Sequence, residues 1–213
     1  WTDRYARYLY AQGLRREDVF QCLFSYAWFV GGLGATASAT AVGATVIPGG
    51  SGDSSRQIEA IFRFGTTAVM GTPSFLAHLV EVAREMGHDL RQSRVRMLCL
   101  GGEPGASIPA TRARLEEAWG ARTFDCYGSL ESQPIGWDTA AQSGPTLAED
   151  FIYTEILDPV TREPVPDGEQ GVLVVSHLDK QAGPLLRWWT GDVVVRDSRP
   201  APDGRTHARL PGG

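Results

Sequence analysis

Residues 95–128 read VRMLCLGGEPGASIPATRARLEEAWGARTFDCYG and alternate apolar runs with a helical stretch. Val95 to Leu100 is a short apolar run ending in Gly101-Gly102, which reads as a buried strand stopped by a turn. Ser107-Ile108-Pro109 opens a helical stretch that continues through Trp119. Arg122 to Tyr127 is the next strand. Strand, crossover helix and strand joined by short links form the repeating unit of a parallel sheet.

The same alternation extends upstream. Asp3 to Leu14 has helical spacing, and Val19 to Ser25 suits a buried strand. Val30 to Val42 is Gly/Ala-rich and reads as a helix packed closely on a sheet. Ala44 to Ile47 is a strand stopped by Pro48-Gly49-Gly50. Ser54 is placed to cap a helix through Phe64, and Thr67 to Met70 is a strand. Thr72-Pro73-Ser74 starts a helix to about Met86, with Pro73 where its missing N–H costs nothing. Residues 1–128 therefore read as a three-layer α/β region with mainly parallel strands. Beyond Gly128 the pattern changes. Phe151 to Leu157, Gly171 to Ser176, Leu185 to Trp188 and Asp192 to Arg196 are strand runs, and turn residues such as Asp158-Pro159 and Pro166-Asp167-Gly168 join them. No long helix is expected after Trp119, so residues 129–213 read as a smaller antiparallel, barrel-like subdomain.

Composition limits the function. The chain has 213 residues, 42% hydrophobic and 21% charged, enough for a sizeable core. A net charge of −5 without a basic stripe excludes nucleic acid as an expected partner. Lys180 is the single lysine, so a mechanism needing one within these residues has one candidate. Cys22, Cys99 and Cys126 are far apart with no CxxC pair, and read as reduced thiols of a cytoplasmic protein. No apolar run is long enough to span a membrane. Trp1 follows no initiator Met or signal pattern and the chain stops in loop-like residues, so it reads as a piece of a longer protein.

Several residues could carry chemistry. Gly101-Gly102-Glu103-Pro104-Gly105 lies at the carboxyl end of a strand, where open α/β sheets bind ligands, although a plain strand-to-helix turn explains it equally well. The next strand ends in Asp125-Cys126-Tyr127-Gly128-Ser129-Leu130-Glu131. If the two strands are adjacent, their loops bring together two carboxylates and an aromatic face. A purine needs such a flat apolar slot, and a phosphate-bound magnesium needs hard oxygen ligands. Asp192 in Arg187-Trp188-Trp189-Thr190-Gly191-Asp192 is placed either to accept ribose hydroxyls or simply in a hairpin turn, the commoner use of Thr-Gly-Asp. Gly31-Gly32-Leu33-Gly34-Ala35 reads as close helix packing. His78 reads as a packing or surface histidine, while His88, His177 and His207 lack metal-ligand spacing. Ser74 and Ser129 lack a GxSxG elbow, so no hydrolase triad is supported. The aromatic run Phe24, Tyr26, Trp28, Phe29 is either core or the wall of an acyl pocket.

Taken in order, these segments resemble the adenylate-forming superfamily, and within it the phenylacetate–coenzyme A ligase branch. The matching pieces are Gly31 to Gly34, Gly43 to Pro48, Gly71 to Phe75, Gly102-Glu103-Pro104, Asp125 to Glu131, Glu149 to Ile156, Pro166 to Gly171, and Lys180 with Pro184 to Asp192. The resemblance implies a ligase using ATP, Mg2+ and coenzyme A. A carboxylic acid, of aryl or arylacetic type, is activated as an acyl-adenylate and passed to the thiol. It implies that Gly102, Glu103 and Pro104 wall the adenine, with Asp125, Cys126, Tyr127, Gly128 and Ser129 in the nucleotide site. Tyr127 would stack on the base, Asp192 would bind the ribose, and Glu131 would be the catalytic residue and magnesium ligand. Tyr26, Trp28, Phe29 and Gly31 match the acyl-pocket segment, and a homodimer resembles the branch. Other parts depart from the pattern. The phosphate loop belongs upstream of Trp1, and the hinge and small domain with the catalytic lysine belong after Gly213, so Lys180 is not that lysine. Leu130 stands where the family has a hydroxyl, with Ser132 as the nearby replacement; Trp189 and Gly191 stand where the branch often carries arginines. The alternative readings are an enzyme that loads a carrier protein and a non-catalytic nucleotide-binding fragment.

Overall fold

Apolar runs of four or five residues make the first strands: β1 (Val19–Cys22), β2 (Thr45–Pro48), β3 (Ala68–Gly71) and β4 (Met97–Gly101). The longer β5 (Arg122–Ser129) follows them. The computed structural model describes residues 1–212, which divide into two compact units, Trp1–Cys126 and the residues from Tyr127 onward. In the first unit the strand order is β2-β1-β3-β4-β5, and every neighbouring pair is parallel. β3 and β4 are buried along their whole length, as parallel strands covered on both faces require, while β2 is a partly exposed edge.

Five helices cover this sheet: α1 (Thr2–Gln12), α2 (Val30–Val42), α3 (Ser54–Phe64), α4 (Pro73–Glu85) and α5 (Pro109–Trp119). The crossover from β1 to β2 runs one way along the sheet, and the later crossovers run the other way. Since such crossovers are right-handed, α2 lies on one face and α3, α4 and α5 on the opposite face. The contacts agree, for α1 packs on α2 and α4 packs against both α3 and α5. The expected three-layer α/β arrangement results. Val69, Leu98 and Leu100 join Ile58, Leu79 and Trp119 in the core on the α3–α5 side. Met70, the neighbour of Val69 and so facing the other way, accepts a hydrogen bond from the Tyr5 hydroxyl of α1 at 3.3 Å.

Local sequence explains the helix ends and one close approach. α4 starts where expected, with Thr72 accepting the Phe75 N–H at 3.3 Å and Pro73 in the first turn. For α3 the cap is Asp53, not the expected Ser54. The Asp53 carboxylate accepts from the N–H groups of Ser55 and Arg56 and, being charged, also suits the positive end of the helix dipole. The Gly/Ala run of α2 serves packing, as expected: a side chain at Gly34 would occupy the space of the Trp1 ring.

In the second unit the strands are antiparallel. β6 (Gln133–Trp137) pairs with β7 (Thr146–Leu147), and a separate three-stranded sheet has the order β10-β9-β8. Its strands are β8 (Ile152–Leu157), β9 (Gln170–His177) and β10 (Trp188–Val195). The central strand β9 supplies a continuous buried run from Gly171 to Val175. Among the described residues no helix follows Trp119, and no helix is long and apolar enough to cross a membrane.

The α4–α5 contact can be tested at Trp119, which is fully buried and donates its indole N–H to the Leu76 carbonyl at 3.3 Å. Trp119→Ala leaves a large cavity and should cost about 3–5 kcal/mol of stability. Urea unfolding followed by circular dichroism measures this, and a loss below about 1 kcal/mol would contradict the packing described.

Candidate functional site

Strand order opens a crevice in the first unit before any side chain is considered. β1 lies between β2 and β3, so the connections leaving β1 and β3 go to opposite faces of the sheet. A crevice opens between such strands beyond their carboxyl ends. The structure has a cavity of about 590 Å³ there, lined by segments that follow β1, β2, β3 and β4. Phe24, Phe29 and Phe75 form its apolar walls, and Thr72, His78 and Gly102 also line it. Phe24 and Phe29 meet edge to face with centroids 5.2 Å apart, a favoured aromatic geometry. The His78 ring lies 6.0 Å from that of Phe75, and its Nε2 shares a hydrogen bond with Ser54 Oγ at 3.1 Å.

Of the four residues expected in an acyl pocket, Phe29 lines this cavity and the others do not. Tyr26 turns back onto α2, where its hydroxyl meets Thr36 Oγ1 at 2.8 Å, and burial pushes its phenol up to about 12. Trp28 is fully exposed at φ 57°. Gly31 lies beneath the Phe29 ring, where a Cβ would collide with it, so it makes room for the wall without forming it. Phe75, Thr72 and His78 did not figure among the expected pocket residues. Their position just after β3 is the signal, but it acquires meaning only once β3 is known to lie beside β1.

Farther along the same edge, Leu100 pairs with Asp125 and Gly101 with Cys126, so β4 and β5 are the adjacent parallel strands expected. Asp125 is buried and accepts a short hydrogen bond from the Ser107 hydroxyl. Glu103 accepts from Ser74 Oγ at 2.6 Å, which joins the loop after β4 to the start of α4. Pro104 is exposed. Cys126 Sγ accepts from Gln12 Nε2 at 3.2 Å.

The second unit brings Tyr127 and Asp192 together. The Tyr127 hydroxyl donates to Asp192 Oδ2 at 2.5 Å. Burial first, and then the Asp192 anion, raise the Tyr127 phenol far above its ordinary value. The expected turn at Thr190-Gly191-Asp192 is instead a bulge within the continuous strand β10, where the register with β9 shifts between Trp189 and Val193. Gly191 supplies the left-handed conformation, φ 86°, that the bulge needs. Thr190 Oγ1 donates to the Leu173 carbonyl at 2.9 Å and accepts the Asp192 N–H at 3.0 Å, fixing the carboxylate's direction.

Gly128 lies against the next strand, and a Cβ there would come 2.6 Å from the Gln133 carbonyl. Ser129 and Ser132 face each other across the following turn, their hydroxyls 2.7 Å apart, while Leu130 points outward. Glu131 is exposed at the tip of that turn, and its carboxylate forms no ion pair among the described residues. Among those residues no cluster of three or more His, Cys, Asp or Glu side chains is arranged to hold a metal.

Residues 2–178 match the family described as AMP-binding enzyme. The chain belongs to this family. AMP-binding enzymes similar to it include the phenylacetate-coenzyme A ligases of Pseudomonas putida, 35% identical over 91% of this chain and 44% of that protein, and of Thermus thermophilus, 35% identical over 96% and 46%. A crystal structure of 2-hydroxyisobutyryl-CoA ligase in complex with 2-HIB-AMP and CoA superposes with a TM-score of 0.96. That alignment is 34% identical and covers 100% of this chain and 47% of that one. A benzoate CoA ligase from Burkholderia xenovorans, 20% identical with a TM-score of 0.67, shares the fold. The chain spans less than half the length of these curated relatives.

The Tyr127–Asp192 contact makes a titration prediction. Asp192→Asn keeps an acceptor but removes the anion, so the Tyr127 midpoint should move down toward the ordinary value near 10. The sign follows from linkage: with the folded-state pKa raised, this group's stabilisation is complete below about pH 10 and is lost as pH rises beyond it. NMR of ring-labelled tyrosines reads the midpoint directly. An unmoved midpoint would assign the whole shift to burial.

Proposed function

We propose that the full-length protein carrying this chain is an ATP-dependent acid–thiol ligase that forms an acyl-adenylate and transfers the acyl group to coenzyme A. The observation that carries this reading is the phenyl-walled cavity at the carboxyl ends of β1 and β3. It occurs in a chain 35–36% identical to phenylacetate-coenzyme A ligases. In the first step the substrate carboxylate attacks the α-phosphorus of ATP and pyrophosphate leaves. In the second a thiol attacks the acyl carbon and AMP leaves.

We assign the substrate's organic part to the cavity, where Phe24, Phe29 and Phe75 offer apolar faces and about 590 Å³ is room for a one-ring acid. In the first unit, Gly102, Glu103, Pro104, Asp125 and Cys126 are assigned to the adenine. The Asp125 carboxylate, already holding the Ser107 hydroxyl, suits an amino donor. In the second unit, Tyr127 is assigned to the base, Gly128 and Ser129 to the nucleotide, and Asp192 to the ribose hydroxyls. Glu131 is assigned to magnesium. One exposed, uncompensated carboxylate fits that ion, which is held by one or two carboxylates with phosphates and water instead of an all-protein cage. Magnesium bound there would offset charge on the transferring phosphates.

The reading is tested by acid-dependent pyrophosphate release in the full-length protein, with phenylacetate, benzoate and a small aliphatic 2-hydroxy acid compared. An aromatic acid should give the largest kcat/KM. A clear preference for the aliphatic acid would overturn the assignment of the phenyl walls. Asp192→Ala should weaken ATP binding roughly ten- to a hundredfold, the value of a hydrogen bond to a charged group. Glu131→Gln should leave ATP binding nearly unchanged in calorimetry and slow pyrophosphate release. A misfolded variant would damage both readouts, so the pair separates role from stability.

A further inference from the structure

We propose that Lys180 and His177 are positioning residues that fix the Glu131 turn by capping two successive main-chain carbonyls. The inference rests on the assignment of Glu131 to magnesium. Lys180 Nζ donates to the Glu131 carbonyl oxygen at 3.0 Å. The His177 ring donates from Nε2 to the next carbonyl, that of Ser132, at 3.2 Å. The ring can do so in one neutral form only. The Leu185 N–H points at Nδ1 from 2.9 Å, so Nδ1 must accept and the hydrogen must lie on Nε2. Being buried, His177 also ties both ends of the 177–185 segment to the turn.

The turn needs such support. Ser129 Oγ accepts the Ser132 N–H at 3.1 Å, and Gln133 follows at φ 66°, a left-handed conformation that a residue with a side chain seldom adopts. Such a conformation persists where the surroundings over-determine it. The lysine's choice of partner matters as much. Its ammonium binds the backbone of Glu131, and among the described residues Lys180 forms no ion pair. The main chain is therefore held while the carboxylate stays uncompensated, as a carboxylate that is to meet a cation requires. This gives a role to the single lysine of a chain whose other nineteen basic residues are arginine.

The test uses the full-length protein with Lys180→Met and Lys180→Arg, the latter restoring a cationic donor. Two readouts are taken: backbone hydrogen exchange over residues 130–133, and the magnesium concentration giving half-maximal pyrophosphate release. Lys180→Met should speed exchange there and raise the half-saturating magnesium roughly two- to tenfold, the effect of one ordinary hydrogen bond. Metal-free ATP binding should stay unchanged, and Lys180→Arg should recover most of both effects. A Lys180→Met protein with wild-type exchange and wild-type magnesium dependence would overturn the inference. If the wild type releases no pyrophosphate with any acid, the ligase reading falls instead. Exchange then decides the clamp alone: faster exchange upholds it and unchanged exchange overturns it.

Discussion

The right-handedness of strand–helix–strand crossovers is the constraint on which the first unit depends. Once β1 connects to β2 on one side and the chain returns to lay β3 on the other, α2 and α3 must occupy opposite faces. Their entry loops then diverge, and nothing in the backbone fills the space between the ends of β1 and β3. The sequence furnishes that gap with phenyl rings after β1 and at the start of α4, and lines it with Thr72 and Gly102. The cavity follows from topology, and its chemistry follows from the residues that topology delivers there.

The second unit reaches precision by a different route. An antiparallel sheet has no helix-flanked crevice, so the side chains assigned roles in the proposed function are aimed by local irregularities. The bulge at Gly191 redirects Asp192 out of the β10 ladder, and Thr190 locks that direction through the Leu173 carbonyl. The turn at Ser129 to Ser132 is likewise held by a hydrogen bond to its own backbone and by donors from the end of β9 and the segment after it. Backbone carbonyls are good anchors for this purpose, because they are fixed to the strands and carry no net charge to compete with a ligand.

Much of the first unit was legible in sequence, since apolar runs, Gly turns and a Pro in the first turn of α4 report local structure. The juxtaposition of β4 and β5 was legible for the same reason, consecutive parallel strands usually being neighbours. The pairing of β1 with β3 was not, as it joins residues nearly fifty positions apart across the β2 excursion. The cavity and its lining by Phe75 and His78 went unread with it. Aromatic density in a loop carries no orientation, so Tyr26 and Trp28 entered the acyl-pocket segment only through the family resemblance; the structure packs one against Thr36 and leaves the other in solvent. Thr190-Gly191-Asp192 has the chemistry of a turn and of a bulge alike. Only the β9 partner strand decides between them.

The carboxylates of the chain divide by what neutralises them. Asp18 holds Arg96 at 2.5 Å, Glu155 holds Arg187 at 3.0 Å, and Asp197 is kept at about 2 by Arg199 and, more weakly, Arg209. In these the positive charge comes with the fold, and the acid is spent on structure. Asp192 is treated otherwise: its side-chain donor is a phenol, which directs the carboxylate without cancelling its charge. Glu131 is given only a grip on its main chain. In an arginine-rich protein a guanidinium could have been placed beside either, and a bidentate pair would have bound more strongly than what is there. Leaving these two acids uncompensated forgoes stability in the absence of a ligand. On the proposed reading, this leaves Asp192 open to hydroxyl groups and Glu131 open to a cation, the division of labour that activation of an acid by a nucleotide would use.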